Sequence, residues 1–405
     1  MTPTSPFRAI AADPALRMVT ALMMLQGALV CSFGPYVSVM AVRVFSLGDQ
    51  GFATIMVLST LVSVTSALYA GIRADQTANR RSIALGAAGL VLAGSALMTF
   101  LPSTPSFLLA QVLLFPANTL FGQLFAQARL AASHYDPTLR DGIQTTIRAL
   151  FAAPYVVVLP IWSMVIDRGV PMQTIYPVAF GLGLLMFGLI WHLWPSKAAM
   201  AGRDAPSGLT IRAALAEVAA PRLALRILAL GAVSAGGTVY WSLMGLVLTP
   251  ADGTGGNAAL YAGLVAGLEV PFMLAVPLLL SINRNILILI GTCIYTIHLV
   301  GMPLLAGTPW LWVMLIPAAA GGGLTLTLPI AYLQDQLKAR PGTGAALVAL
   351  MKVAGDGMAA TTFAIGTAFG GYSLAAVLGA SVTVIGAITL VVADRQAANA
   401  INRPR

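Results

Sequence analysis

Between Pro195 and Arg222 the chain reads PSKAAMAGRDAPSGLTIRAALAEVAAPR. The stretch carries Lys197, Arg203, Arg212 and Arg222 against Asp204 and Glu217, and it divides two almost equal lengths of apolar sequence. Each length breaks into six hydrophobic runs of about 20 residues, enough to cross ~30 Å of hydrocarbon at ~1.5 Å per residue. The runs cover 18–42, 51–72, 82–101, 107–130, 143–166, 172–194, 223–248, 259–282, 286–306, 310–333, 344–368 and 371–393. The expected organisation is an N-terminal six-helix bundle over 1–194, a cytoplasmic linker over 195–222 and a C-terminal six-helix bundle over 223–405.

Composition supports lipid as the solvent. Of the 405 residues 58% are hydrophobic and 9% charged, whereas a soluble domain carries ~25% charged residues to hydrate its surface. In hydrocarbon every backbone polar group needs an internal partner, which helices supply within each segment. A membrane barrel would show alternating segments of ~10 residues, half the length of these unbroken runs. The fold class is therefore all-α integral membrane, with twelve transmembrane helices in two pseudo-symmetric bundles.

The net charge of +9 does not imply nucleic acid, because the basic residues are dispersed at the ends of the runs. With the N-terminus placed inside, the outer loops hold only Arg43 and Arg168, and Arg148 and Lys352 lie within spans. Every other Lys and Arg of the 22 falls on the inner segments. That asymmetry orients the chain by the positive-inside rule and requires an even number of crossings, with both termini cytoplasmic and the protein multi-pass in the cell (inner) membrane. Cys31 and Cys293 fall inside spans and read as small buried apolar residues, implying neither a disulfide nor a metal site. The run from Met18 to Val42 is too long for a signal-peptide core and is expected to remain as the first span.

The longest loop has about 28 residues, too few for a catalytic domain. No Walker-type glycine loop, HExxH, CxxC or Ser/His/Asp set occurs, so neither ATP-driven transport nor hydrolysis has its parts. The chain is expected not to be an enzyme, and its function must lie among the helices.

Between the second and third runs the sequence is Gly71-Ile-Arg-Ala-Asp75-Gln76-Thr-Ala78-Asn79-Arg80-Arg81. It resembles the loop signature of the major facilitator superfamily: Gly71, Asp75 and Arg80 match, while Gln76 and Ala78 depart from it. An aspartate at such a helix end can accept from a neighbouring helix N-terminus and pair with arginine, so Gly71, Asp75 and Arg80 are the gating candidates. A plain basic anchor with a stray aspartate is the alternative. A narrower resemblance, to the bacterial sugar efflux transporter family, rests on Asn118-Thr-Leu-Phe-Gly122-Gln123-Leu-Phe-Ala-Gln-Ala128-Arg129, Thr146-Ile-Arg148-Ala149, Ala153-Pro154, Leu268-Glu269-Val270-Pro271 and Tyr332-Leu-Gln334-Asp335. It implies proton-driven export of sugars or related small polar solutes by alternating access. Export of amphipathic drugs, or a receptor that moves no solute, are the competing readings. No cofactor is implied, the proton gradient being the energy source. The implied partners are a small-molecule substrate and the lipid bilayer, with a monomer expected.

Embedded ionisable residues cost ~2.5–3.5 kcal/mol each on insertion scales and mark functional candidates. Glu269 lies about ten residues, or about 15 Å, into its span, near the midplane, where a carboxyl can load and release a proton. A structural acid bonded to a neighbouring helix is its alternative. Lys352 and Asp356 stand four apart on one helical face and either share the proton-coupling role or form a static ion pair. Arg148 lies only about 9 Å into its span, so it either lines a cavity or reaches the surface. Its face continues through Gln144, Phe151 and Tyr155. A guanidinium with aromatic neighbours suits a polyhydroxylated ligand, and Gln26, Asn118, Gln144, Arg148, Tyr155 and Trp241 are the substrate-binding candidates. Ser234, Thr238 and Trp241 share one face of the seventh span, and His298 reads as a packing residue. In the facilitator fold, spans 3, 6, 9 and 12 lie outermost. The four embedded charges avoid all of them, as lipid demands.

Overall fold

The computed structural model describes residues 5–77, 79–195, 221–250, 257–279, 282–336 and 341–401. The expected linker lies almost wholly outside them. Helices account for nearly all of the described residues, and no strand occurs among them.

Local signals set the helix ends. Asp13 caps α1 (Pro14–Phe33) by accepting from the Ala15 and Leu16 amides at 2.8 and 3.2 Å, with Pro14 in the first turn, where no N–H is required. Ser103 begins α4 (Thr104–Leu114), and Asp136 before Pro137 begins α5 (Pro137–Asp167) in the same way. Asn79 caps α3 (Arg80–Phe100), which follows α2 (Gly48–Thr77). α4 continues as Thr119–Ala131 after a 3-10 turn at Phe115–Asn118, where Pro116 interrupts the ladder. α6 is Ile175–Leu193, α7 Pro221–Leu248, α8 Asn257–Ala275, α9 Arg284–Leu305 and α10 Leu315–Gln336.

Among the described residues, eleven helices are long and apolar enough to cross a membrane. The last of these covers 47 residues, Leu350–Gln396, about 70 Å at helical rise and twice what a bilayer needs. It is two spans. Helical geometry fails at Gly370 and Gly371, and a methyl on Gly366 would stand 2.6 Å from the Ala375 side chain. Residues nine apart in a continuous helix lie about 13 Å apart, so the chain doubles back here. α11 therefore covers 341–369 and α12 covers 372–401, and the expected twelve spans are present.

The first span departs from expectation. Its run of 18–42 does not form one helix, because Pro35 supplies no N–H and its ring collides with the carbonyl four residues back. The helix stops at Phe33, resumes over Val37–Val39 and widens into a π-helical turn at Met40–Val44.

The chain divides into two compact units. One comprises Met1–Gly34 and Leu61–Gly208, the other Pro35–Thr60 and Leu209–Arg405. In the first, α1 packs on α5, and α3 on α4 and α6. Gly27 lets α1 touch the Phe151 backbone, where a Cβ would come within 2.1 Å of the carbonyl oxygen. In the second, α7 packs on α11 and α12, and α9 on α10 and α12. These are the same pairings six spans later, the mark of an internal repeat. Gly231 and Gly355 allow α7 and α11 near backbone contact, since each added Cβ would meet the other helix at under 3 Å. Small residues are what bind helices in lipid, where apolar area alone gives no preference. Leu16, Leu22, Leu120, Leu124, Ile143 and Ile147 centre the first core, and Leu230, Ile288, Leu328 and Leu390 the second. Cys31 is buried, but Cys293 lies on the outward face of α9, so the expectation of two buried thiols holds for Cys31 only.

Candidate functional site

In the second unit α8 carries Glu269 and α10 carries the run Gly321-Gly322-Gly323. A Cβ on Gly322 would fall 2.1 Å from Glu269 Oε1, so the carboxyl rests on bare α10 backbone. Flanking glycines admit their neighbours in the same manner: Gly321 meets the Tyr295 backbone of α9, and Gly323 meets Phe272 of α8. Glu269 is half-buried and has no hydrogen-bond or ion-pair partner among the described residues. The alternative of a carboxyl fixed to a neighbouring helix has no bond behind it among the described residues.

Asp356 has partners. Lys352 Nζ donates to both of its oxygens at 3.0 and 2.9 Å, and Thr238 Oγ1 of α7 donates to Oδ1 at 2.6 Å. The side chain of Lys352 is 65% exposed against 18% for Asp356, so the ammonium reaches outward and the carboxylate inward. Ser234, on the Thr238 face, donates to the Gly231 carbonyl in its own helix, and Trp241 packs beside Tyr240 with ring centroids 5.4 Å apart.

In the first unit the polar groups are amides and one guanidinium. Gly27 seats α1 on Phe151 of α5, and Phe121 of α4 meets Phe151 edge-on at 4.9 Å, so these three helices converge. Within about a turn of that junction lie Gln26, Gln123, Arg148 and Tyr155, and Gln144 lies about two turns away along α5. Gln26 and Gln123 are 1% and 5% exposed, yet neither Oε1 has a partner among the described residues; Gln144 Nε2 has none either. A buried amide atom without a bond forfeits its hydration, so such atoms call for a water or a solute that supplies one. Arg148 is exposed and likewise has no partner among the described residues. Tyr155 lies 6.1 Å from Phe151, ring to ring. Together the junction offers acceptors, donors and aromatic faces, which is the chemistry a ring bearing several hydroxyls requires.

Of the gating candidates, Gly71 stands near the end of α2 with open space where a side chain would be, and Arg80 opens α3. The side chains of Asp75 and of Asn118 lie outside the described residues. A different acid organises the corresponding end of the second unit. Asp394, near the end of α12, accepts from Arg226 Nε of α7 at 2.8 Å and from the Tyr332 hydroxyl of α10 at 2.8 Å, and it also accepts from Asn285 Nδ2 of α9. One carboxylate thus ties four helices. The first unit uses a backbone acceptor at the like position, Arg81 donating to the Trp191 carbonyl at 2.6 Å. Sequence reading treats Arg226 only as a topology marker and ends the last run at 393, one residue short of Asp394. An acid just inside a strongly basic face is the signal that identifies it. His298 is fully buried against Tyr261, whose hydroxyl lies 3.2 Å from Nδ1. No group of three or more His, Cys, Asp or Glu side chains among the described residues could hold a metal.

Helix number, pairing and repeat define the class: the chain has the major facilitator fold. The solved nucleoside transporter NupG superposes with a TM-score of 0.74 at 14% identity, over 93% of this chain and 98% of that one. The solved D-xylose-proton symporter does so with 0.67 at 14% identity, over 93% and 97%. More particularly, the sequence is 26% identical over 358 residues to a Deinococcus radiodurans protein whose name assigns it to sugar efflux transport, covering 84% of this chain and 87% of that protein. No family model matches the chain.

Proposed function

We propose that this protein is a secondary active transporter that exports sugars or related small polar solutes in exchange for protons. The two six-helix halves, 1–194 and 223–405, would rock about the 195–222 linker by alternating access. The observation that carries the proton step is Glu269, a midplane carboxyl seated on glycine backbone with no bonding partner among the described residues. A charge there is costly, and a proton is the cheapest means of removing it. Asp356, held by Lys352 and Thr238, serves as a second carboxylate of the same half.

Gln26, Asn118, Gln144, Arg148, Tyr155 and Trp241 contact the substrate, the amides and guanidinium bonding its hydroxyls and the rings stacking on its apolar faces. Gly71, Asp75 and Arg80 gate the cytoplasmic end. The protein acts as a monomer in the inner membrane with both termini in the cytoplasm, and it needs no cofactor beyond the proton gradient. The name of the Deinococcus relative and the proton coupling named for the xylose symporter support this reading.

Reconstituted vesicles test it. Glu269→Gln is expected to abolish proton-driven sugar movement while sugar counterflow, which needs no net proton transfer, continues. Unchanged proton coupling in that variant removes Glu269 from the mechanism.

A further inference from the structure

The charge asymmetry leaves Arg43 on an outer loop, where a transporter gains nothing in topology from a cation. The structure supplies a use for it. Beyond Pro35 the chain enters the π-helical turn Met40–Val44, closed by the Phe45 amide donating to the Met40 carbonyl at 2.8 Å. Ser46 follows with φ 53°, a left-handed conformation that is rare outside glycine. Wide turns and such backbone strain gather where a structure must aim a side chain or move.

From this turn Arg43 reaches the C-terminal end of α7. Its Nη2 donates to the Leu246 carbonyl at 2.6 Å, and its Nη1 to the carbonyls of Thr249 and Pro250 at 2.6 and 2.8 Å. A helix leaves its final carbonyls without partners of its own, and a guanidinium matches them in both charge and shape. The contact is one of a set. The Tyr372 hydroxyl donates to Asp49 Oδ1 at 3.0 Å, and Gln50 Nε2 donates to the Ala364 carbonyl at 3.0 Å. Phe52 meets Phe363 edge-on at 5.4 Å, and Ser242 Oγ lies 3.6 Å from Met56 Sδ.

We propose that residues 35–60 are a latch by which the end of the first span and the start of the second are held to α7, α11 and α12, with Arg43 as its bolt. Opening of that end of the protein then requires Arg43 to leave the α7 carbonyls. Bonds of this type suit a latch because water replaces them on release, so they bias the closed state without freezing it. The inference rests on the alternating-access reading but not on proton coupling or on the sugar site.

Its test reads accessibility. In a background with Cys31 and Cys293 replaced by serine, Ser242→Cys places a thiol beneath the latch. Arg43→Gln is expected to speed its labelling by a membrane-impermeant maleimide, added from the outer side, at least threefold over the parent with Arg43 intact. Arg43→Lys, which keeps a cation but not the fork, should fall between them. Acceleration below threefold for Arg43→Gln, or acceleration only from the inner side, overturns the proposal. A second measurement does not depend on how well that variant folds. With Met56→Cys and Ser242→Cys joined by a one-carbon bis-methanethiosulfonate, counterflow should stop and return on reduction; counterflow that continues through the joined state also overturns it. Failure of Glu269 to couple protons leaves both readouts untouched.

Discussion

The interiors of the two units are furnished differently. Around the junction of α1, α4 and α5 the first presents amides and a guanidinium, with Gln26 and Gln123 buried and their Oε1 atoms lacking partners among the described residues. Around α7, α8, α10 and α11 the second presents carboxylates, Glu269 on its glycine seat and Asp356 between Lys352 and Thr238. The units share one pattern of helix pairing, so the fold alone does not dictate this difference. Under the proposed function, amides and a guanidinium suit recognition of a polar solute and carboxylates suit carriage of a proton. Duplicated scaffolds allow the two tasks to fall mainly to different copies, with Trp241 the one proposed substrate contact in the second.

Three substitutions and one control bear on that separation, beginning with the largest expected effect. Gly322→Ala sets a methyl 2.1 Å from Glu269 Oε1 without altering charge. It should lower proton-driven export by about ten- to a hundredfold through displacement of the carboxyl, with counterflow retained. Gly237→Ala, where a Cβ meets nothing within 4 Å, is the matched control and should leave the rate near the parent's. A similar loss in both variants would assign the effect to helix packing and not to the seat. Next, Arg148→Gln should weaken sugar binding by about tenfold, the worth of one charge-assisted bond, while the proton-to-sugar ratio stays constant. A changed ratio, measured by parallel pH-electrode and isotope fluxes, would place titrating work in the first unit and break the comparison.

The smallest effect is expected from Lys352→Met on stability. The lysine is mostly exposed, so its ion pair with Asp356 should be worth less than about 1 kcal/mol, read as thermal melting in detergent. The flux assay decides what the pair is for. Coupling that falls together with an unchanged melting point marks Asp356 as a working acid; coupling that holds marks the pair as a static one.

Much of this was legible in the sequence because it depends on local length and charge. Twelve runs, the bias of Lys and Arg toward alternate ends of them, and the spacing of Lys352 to Asp356 all follow from residues near one another in the chain. So does the isolation of Glu269, an acid in an otherwise apolar run. What escaped depends on neighbours distant in sequence. Gly322 is one of 40 glycines, and only the packing of α8 against α10 makes it a seat. Gln123 reads as one polar residue among several until α4 turns it inward. Pro35 was visible, but spans tolerate proline, and nothing local shows that the chain would widen into a π turn and aim Arg43 at α7. Asp394 became a hub only when α7, α9 and α10 brought their donors to it.

The passage from α11 to α12 has a consequence for biogenesis. The chain reverses through Gly370 and Gly371, and Gly371, at φ 67° and ψ −160°, occupies a region closed to any residue with a side chain. With no loop between them, the last two spans form a paired hairpin, closed where Gly366 meets Ala375, and entry of the two into the bilayer together is a testable prediction. An epitope inserted between 370 and 371 should therefore trap nascent chains at the translocon, whereas the same insert at the long connector near 205 should let synthesis finish.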